Sequence, residues 1–190
     1  MSTAHQSRAW ISPEEYIQAE LTSEVRHEYF AGEIFAMAGA SVNHNYIAGN
    51  IFAELHAHLR GKKCAPFMND MKAHIHSAGD DWFYYPDVMV NCDPDGQHKY
   101  FCDTPSVIVE VLSPDSETRD RREKRFAYEK IATVQTYALV AQDRREVLVF
   151  RRNSEGGWTR EVLPAAGDTL RLPELDFALP LDTIYARTRL

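Results

Sequence analysis

The sequence predicts a mixed α/β domain, in which helices pack on a sheet that combines parallel and antiparallel strands. Three observations support this class. Short apolar runs such as residues 106–112 have the composition of buried strands, and residues 43–59 and 116–132 carry apolar side chains at helical spacing. The order of the segments is helix, hairpin and then αβββαββ, and a C-terminal β extension follows this core.

Length and composition predict one globular domain. The chain of 190 residues can bury a single core, which we place at about residues 43–142 of a domain that spans 1–190. Hydrophobic residues make up 44% and charged residues 26%, and the net charge of −7 argues against a surface coated for nonspecific nucleic-acid binding. Because no stretch has the length of a membrane span or the pattern of a signal peptide, we expect a soluble, cytoplasmic protein.

The first predicted element is a short helix. Ser12 is placed as its N-cap, Pro13 in its first turn, and Glu15 as the residue that completes a capping box. This helix is expected to end near Leu21.

A hairpin and a long helix follow. Residues 26–30 and 33–37 flank Ala31-Gly32, the composition of two strands joined by a turn. Residues 43–59 then predict an amphipathic helix, which Gly61 ends.

Three strands are predicted next, over residues 66–76, 81–90 and 106–112. The pair Gly79-Asp80 supplies the turn between the first two strands, and residues 93–96 open a loop before the third. These strands would form the centre of the sheet.

The remaining elements complete the predicted core. A basic helix runs over residues 116–132, and two strands, 136–141 and 146–151, form a hairpin around residues 143–145. A short strand at 158–163 begins the C-terminal extension.

Two carboxylates fall inside predicted strands. Glu110 lies in the apolar run 106–112, and Asp87 follows Pro86 within the run 81–90. Burial of a lone carboxylate costs several kcal/mol unless a charge, a set of hydrogen bonds or a metal compensates it. Two acids in two hydrophobic strands therefore indicate a divalent-metal site in the sheet.

A lysine in the basic helix is the third part of this predicted site. The inward face of the helix can be anchored on Ala127 and Ile131, and extension of this face by three and four residues gives Lys124 and then Asp120, with Tyr128 alongside. Because the helix directly follows the second acidic strand, its first turns are expected near both carboxylates.

These residues suit metal-assisted hydrolysis of a phosphodiester. Carboxylates hold Mg²⁺ or Mn²⁺ through part of its octahedron and leave water in the remainder. The metal lowers the pKa of a bound water, and a neighbouring lysine orients that water or stabilises the developing negative charge.

Several segments also carry a resemblance to a known family. They are Tyr29-Phe30-Ala31-Gly32-Glu33, His44 at a helix start, Tyr85-Pro86-Asp87-Val88, Val109-Glu110-Val111-Leu112-Ser113-Pro114, Arg119-Asp120 to Lys124 with Tyr128, and the ending Leu179-Pro180-Leu181-Asp182. Pro86-Asp87, with Glu110 after 22 residues, resembles the signature of the PD-(D/E)XK nuclease superfamily. Over about residues 12–186, the chain resembles the Uma-type family of restriction endonucleases.

The resemblance implies a restriction-endonuclease-like αβββαβ core, dependence on Mg²⁺ or Mn²⁺, DNA as the substrate, and a homodimer. It also implies Asp87 and Glu110 as metal ligands. One departure matters: the superfamily lysine is expected two residues after the second acid, where this chain has Leu112. In this family the resemblance implies that the lysine has moved to the next helix, and the helical pattern independently gives Lys124.

Four residues are predicted to support this trio. Asp120 would hold Lys124 through an i, i+4 pair. Glu33 matches an acidic position of the family, with a solvent-facing hairpin residue as the alternative. His44 either caps its helix or reaches the site or a phosphate, and Tyr128 packs with its hydroxyl on the lysine or an aspartate.

Cations and histidines leave two further questions open. Arg121, Arg122 and Arg125 are predicted to contact nucleic-acid phosphates, and a solvated helix face is the alternative. His74 and His76 would share one face of a strand, but zinc-ligand spacing is missing, so surface histidines are favoured over a zinc site with Cys64 or Asp70. The odd cysteine count without a CxxC spacing predicts reduced thiols at Cys64, Cys92 and Cys102.

The sequence therefore predicts a Mg²⁺-dependent endonuclease that hydrolyses DNA. The first alternative is a catalytically silent nuclease-fold module that binds nucleic acid or a protein. The second is a histidine-based zinc protein.

Overall fold

The structure is a computed structural model, and it describes residues 10–37, 39–114, 117–165 and 167–190. The elements in chain order are α1 (Pro13–Glu20), β1 (His27–Phe30), β2 (Glu33–Ala36), α2 (Val42–Leu59), β3 (Ala65–Met68), β4 (Lys72–Ser77), β5 (Asp80–Tyr84), β6 (Val88–Asn91), β7 (Phe101–Cys102), β8 (Pro105–Leu112), α3 (residues 117–128), β9 (Thr136–Ala141), β10 (Val147–Arg152), β11 (Trp158–Leu163), β12 (Thr169–Leu172), β13 (Phe177–Pro180) and α4 (Leu181–Ile184). The order confirms the predicted mixed α/β class.

The described strands form two main sheets and a separate hairpin. The large sheet has the order β11-β10-β9-β8-β6-β3, with β8 and β9 parallel and the other pairs antiparallel. The small sheet has the order β2-β1-β5-β4-β7. Because α3 connects β8 to the parallel strand β9, these three elements form a βαβ unit in which α3 covers one face of the large sheet.

Each face of the large sheet has its own core. On one face, alternate β8 residues such as Val109 and Val111 pack with Ile47 and Ile51 of α2. On the other face, Ile108 packs in a second cluster with residues of α3 and the small sheet. The period-2 alternation of a strand therefore assigns the even-numbered residues of β8 to the α3 face.

Two of the predicted strands are wrong in their extent. Residues 66–76 and 81–90 each divide into two strands, so that β3 and β6 pair in the large sheet while β4 and β5 pair in the small sheet. The second division falls at Pro86, which has no N–H to donate to a sheet. The turn between β4 and β5 is Ala78-Gly79 rather than Gly79-Asp80, because both of its residues have positive φ, of 56° and 88°.

The helices agree more closely with the sequence. The predicted capping box of α1 is confirmed: the Glu15 N–H donates to Ser12 Oγ at 3.2 Å, and the Ser12 N–H donates to the Glu15 carboxylate at 2.8 Å. The basic helix was predicted over 116–132, but helix α3 ends at Tyr128, and position 116 lies outside the described residues.

An arginine from another strand accounts for this earlier end of α3. Arg152 donates hydrogen bonds to the carbonyl oxygens of Glu129, Ile131 and Val134 at 2.9–3.0 Å. These carbonyls are therefore satisfied without further helical turns.

The prediction of three reduced thiols is also wrong. Cys64 and Cys92 form a disulfide, and Cys102 is free and buried. Antiparallel pairing of Ala65 with Asn91 brings the two flanking cysteines opposite each other, with Cα atoms 4.0 Å apart. An odd cysteine count excludes full pairing, but it does not exclude one bond.

Candidate active site

The candidate site lies where the small sheet, the large sheet and α3 meet. Glu110 of β8 is at its centre and is 3% exposed. It shares the α3 face of β8 with Ile108 and Leu112, so its carboxylate points into the space below α3.

Asp87 lies at the bend between β5 and β6, rather than within one continuous strand. The pairing of Val88 with Val109 makes Asp87 the neighbour of Glu110 across the sheet. Its Oδ1 is 2.8 Å from His44 Nε2, and its Oδ2 accepts a hydrogen bond of 2.7 Å from the Val111 N–H. Asp87 is thus fixed by both β8 and the first turn of α2.

Lys124 reaches the site from α3, as the helical pattern predicts. Its ammonium nitrogen lies 2.7 Å from Glu28 Oε1, 3.2 Å from Glu110 Oε1 and 3.3 Å from Asp120 Oδ1. The side chain is 6% exposed. Residues Asp120–Lys124 form a π-helical segment, a feature frequent at functional sites.

Glu28 is a site residue that the sequence patterns did not indicate. It comes from β1 in the small sheet and is 4% exposed, and its Oε2 accepts a hydrogen bond of 3.0 Å from Arg119. An acid between His27 and Tyr29 is a detectable anomaly in a predicted hairpin strand. Glu33, which was predicted instead, is exposed on β2 opposite Phe30.

Both donors to Glu110 use the same oxygen. Tyr128 donates a hydrogen bond of 2.9 Å to Glu110 Oε1, the atom that Lys124 also contacts, and not to the lysine or an aspartate as predicted. Within the described residues, Glu110 Oε2 has no hydrogen bond or ion pair. The ring centroid of Tyr84 lies 5.6 Å from Lys124 Nζ. The Tyr84 hydroxyl is buried and has no hydrogen-bond partner among the described residues.

Charge and burial perturb the ionisation of the two central residues. Burial raises the pKa of Glu110 well above its ordinary value, and the nearby charges of Asp120, Asp87 and Glu28 raise it further, while Lys124 opposes this effect. Burial disfavours the charged form of Lys124, but the surrounding carboxylates outweigh burial and raise its pKa. Lys124 is therefore held as a cation.

The donor set fits a divalent cation with a largely hydrated shell. Four carboxylates share this region with two side-chain cations, so two negative charges are in excess when all six groups are ionised. The carboxylates are those of Glu28, Asp87, Glu110 and Asp120, and the cations are Lys124 and Arg119. Among the described residues, no three His, Cys, Asp or Glu side chains are arranged as a ready set of metal ligands. Mg²⁺ commonly binds through one or two carboxylates and keeps several waters, which matches Asp87 with the free Oε2 of Glu110.

The three arginines predicted to contact nucleic acid differ in their surroundings. Arg121 pairs with Glu117 at 2.8 Å, and Arg125 pairs with Glu129 at 2.7 Å. Arg122 is exposed, and no acidic side chain of the described residues pairs with it. Arg122 is thus the arginine of this group with its charge uncompensated.

The zinc alternative receives no support from the described geometry. His74 and His76 both contact Asp81, at 2.7 and 2.9 Å, and His74 also contacts Asp103. Cys64 is in the disulfide, and Asp70 pairs with Arg26 instead. This histidine–aspartate network joins the strands of the small sheet, and no metal-ligand set occurs in the described residues.

The fold defined by these elements is that of restriction-endonuclease-like proteins. A crystal structure described as "a putative nuclease belonging to DUF820", from Anabaena variabilis, matches with a TM-score of 0.73 and 18% sequence identity, over 93% of this chain and 98% of that one. At this identity the likeness shows the fold.

The chain belongs to the Uma2 family, described as "Putative restriction endonuclease", whose model matches residues 13–182. It is also similar to two uncharacterized proteins from Synechocystis sp. One is 36% identical over 92% of this chain and 91% of its own length, and the other is 30% identical over 76% and 82%. The family confirms the resemblance predicted from the sequence, and together with the fold it supports a nuclease function in general. None of the described helices is long and apolar enough to cross a membrane.

Proposed function

We propose that the protein is a Mg²⁺- or Mn²⁺-dependent endonuclease that hydrolyses DNA phosphodiesters. The observation that carries this proposal is the arrangement at Glu110: Lys124 and Tyr128 both contact Oε1, and Oε2 is left for a ligand beside Asp87. The metal ligands are Asp87 and Glu110. A divalent cation held by these carboxylates would lower the pKa of a bound water and would neutralise negative charge on the phosphoryl oxygens.

The other residues position these groups. Lys124, which its carboxylate neighbours keep charged, stabilises the negative charge that develops on the phosphoryl oxygens. Tyr128 fixes the orientation of Glu110, and His44 together with the Val111 N–H fixes Asp87. Arg122 contacts the DNA backbone. A homodimer and a cytoplasmic location stay predictions.

The direct test is cleavage of supercoiled plasmid and of linear DNA with Mg²⁺, with Mn²⁺ and with chelator. We expect metal-dependent cleavage that Glu110→Gln and Asp87→Asn each abolish, while Glu54→Gln, at an exposed carboxylate of α2 outside the site, cleaves normally. RNA of the same sequence tests the choice of substrate. Absence of cleavage under every condition, with DNA still bound, would make the protein a binding module on a nuclease scaffold.

A further inference from the structure

Glu28 holds the lysine of the candidate site from a different sheet. It lies on β1, whereas Glu110 lies on β8 and Lys124 on α3. Both of its oxygens are used by cations: Oε1 lies 2.7 Å from Lys124 Nζ, and Oε2 lies 3.0 Å from Arg119. Glu28 is thus fully engaged, unlike Glu110.

The distances rank the partners of the lysine. The ion pair with Glu28 is 0.5 Å shorter than the one with Glu110, 2.7 against 3.2 Å, so Glu28 is the nearest negative charge to the ammonium. A third carboxylate, Asp120, lies at 3.3 Å. Without Glu28, the ammonium would be left with Glu110 and Asp120, and its charge would be directed toward the carboxylate that we assign to the metal.

We propose that Glu28 is a positioning residue that holds the Lys124 ammonium on the Oε1 side of Glu110, so that Oε2 stays available to a divalent cation. This inference rests on the proposed function. Arg119 contributes to the same arrangement. It donates a hydrogen bond to the second oxygen of Glu28, so this carboxylate is not available to bind the divalent cation itself. Lys124 is then both a catalytic group and a potential competitor of the metal.

A purely electrostatic effect is the main rival explanation. Removal of any nearby negative charge weakens cation binding, whether or not the lysine moves. Two features separate the explanations. A positioning role requires Lys124 to be present. It also depends on the length of the side chain at position 28 as well as on its charge.

The experiment measures equilibrium Mn²⁺ binding by titration calorimetry, in the full chain, for the wild type, Glu28→Gln, Glu28→Asp, Lys124→Met and the double variant Glu28→Gln/Lys124→Met. We expect Glu28→Gln to weaken binding about tenfold, within the usual coupling of contacting residues. In the Lys124→Met background the same change should have an effect of less than about twofold, since no ammonium remains to be held. Glu28→Asp keeps the negative charge and is expected to fold. It should also weaken Mn²⁺ binding, because its shorter side chain withdraws from the lysine.

Kinetics supply a second readout. Glu28→Gln should raise the Mn²⁺ concentration for half-maximal cleavage more than it lowers kcat at saturating Mn²⁺. Equal weakening by Glu28→Gln in both backgrounds, or wild-type binding in Glu28→Asp, would overturn the role of Glu28 and leave the proposed function intact. Failure of Mn²⁺ to bind the folded wild type and every variant would instead overturn the metal-dependent function.

Discussion

Asp87 accepts a hydrogen bond of 2.7 Å on its Oδ2 from the backbone N–H of Val111. This bond joins the bend after β5 directly to β8, at the position next to Glu110. Because β8 is flanked by β6 and β9 and buried on both faces, it is a rigid support for the two carboxylates. The spacing of the acids is therefore fixed by backbone as well as by side chains.

Loss of Lys124 should separate catalysis from binding. We expect Lys124→Ala to reduce the cleavage rate by at least about 10²-fold, the usual scale for one positioned catalytic group. DNA affinity should fall far less, because exposed arginines such as Arg122 still contact phosphates. Single-turnover cleavage and equilibrium binding measure the two effects, with Lys130→Ala as the control. Equal losses of rate and affinity would reduce Lys124 to a phosphate-contacting cation.

A divalent cation should stabilise the fold through the two predicted ligands. At Mn²⁺ concentrations about 100 times its Kd, binding to the native state adds about 2.7 kcal/mol to the free energy of unfolding. The melting temperature of the wild type should rise accordingly, and that of Asp87→Asn and Glu110→Gln should not. A rise of the same size in these variants would locate the metal elsewhere in the protein.

The arginines of α3 should contribute unequally to DNA binding. Arg122→Ala should lower the slope of log affinity against log salt by about 0.9, the value for one lost phosphate contact. Arg121→Ala and Arg125→Ala should change this slope less, because Glu117 and Glu129 already neutralise these side chains. Fluorescence anisotropy across a salt series gives the slopes. An identical change in all three variants would contradict this ranking.

The disulfide should contribute to stability. It joins residues 28 positions apart in the sequence. A disulfide typically adds about 2–4 kcal/mol to the free energy of unfolding. We expect the double variant Cys64→Ser/Cys92→Ser to lose this amount in urea unfolding. Under denaturing conditions without reductant, thiol titration should find Cys102 alone reactive. Three reactive thiols there would show that the bond does not form.

Lys72 should make stability depend on alkaline pH. Burial lowers the pKa of this lysine, which lies over the rings of Tyr16 and Tyr85. A lysine whose folded-state pKa lies below its unfolded value near 10.4 destabilises the fold when charged, so the free energy of unfolding should rise with pH between these two values. Lys72→Met should remove this rise, whereas Lys63→Met, at an exposed position, should retain it. Urea unfolding at a series of pH values provides the measurement, and an unchanged slope in Lys72→Met would refute the assignment.

Local sequence patterns determined much of the fold and the centre of the site. The capping box of α1, the apolar spacing of α2 and the composition of β8 are properties of neighbouring residues, so they could be predicted without knowledge of the rest of the chain. The same holds for the inward placement of Asp120 and Lys124, which follows from helical spacing.

Tertiary structure decided what depends on residues far apart in the sequence. Glu28 meets Lys124, although 96 positions separate them, because β1 pairs with β5 in a second sheet whose existence no local pattern indicated. The division of two strands between the sheets, and the pairing of Cys64 with Cys92, have the same origin. Periodicity fixes which face a side chain occupies, but which distant segment covers that face is set by the packing of the whole chain.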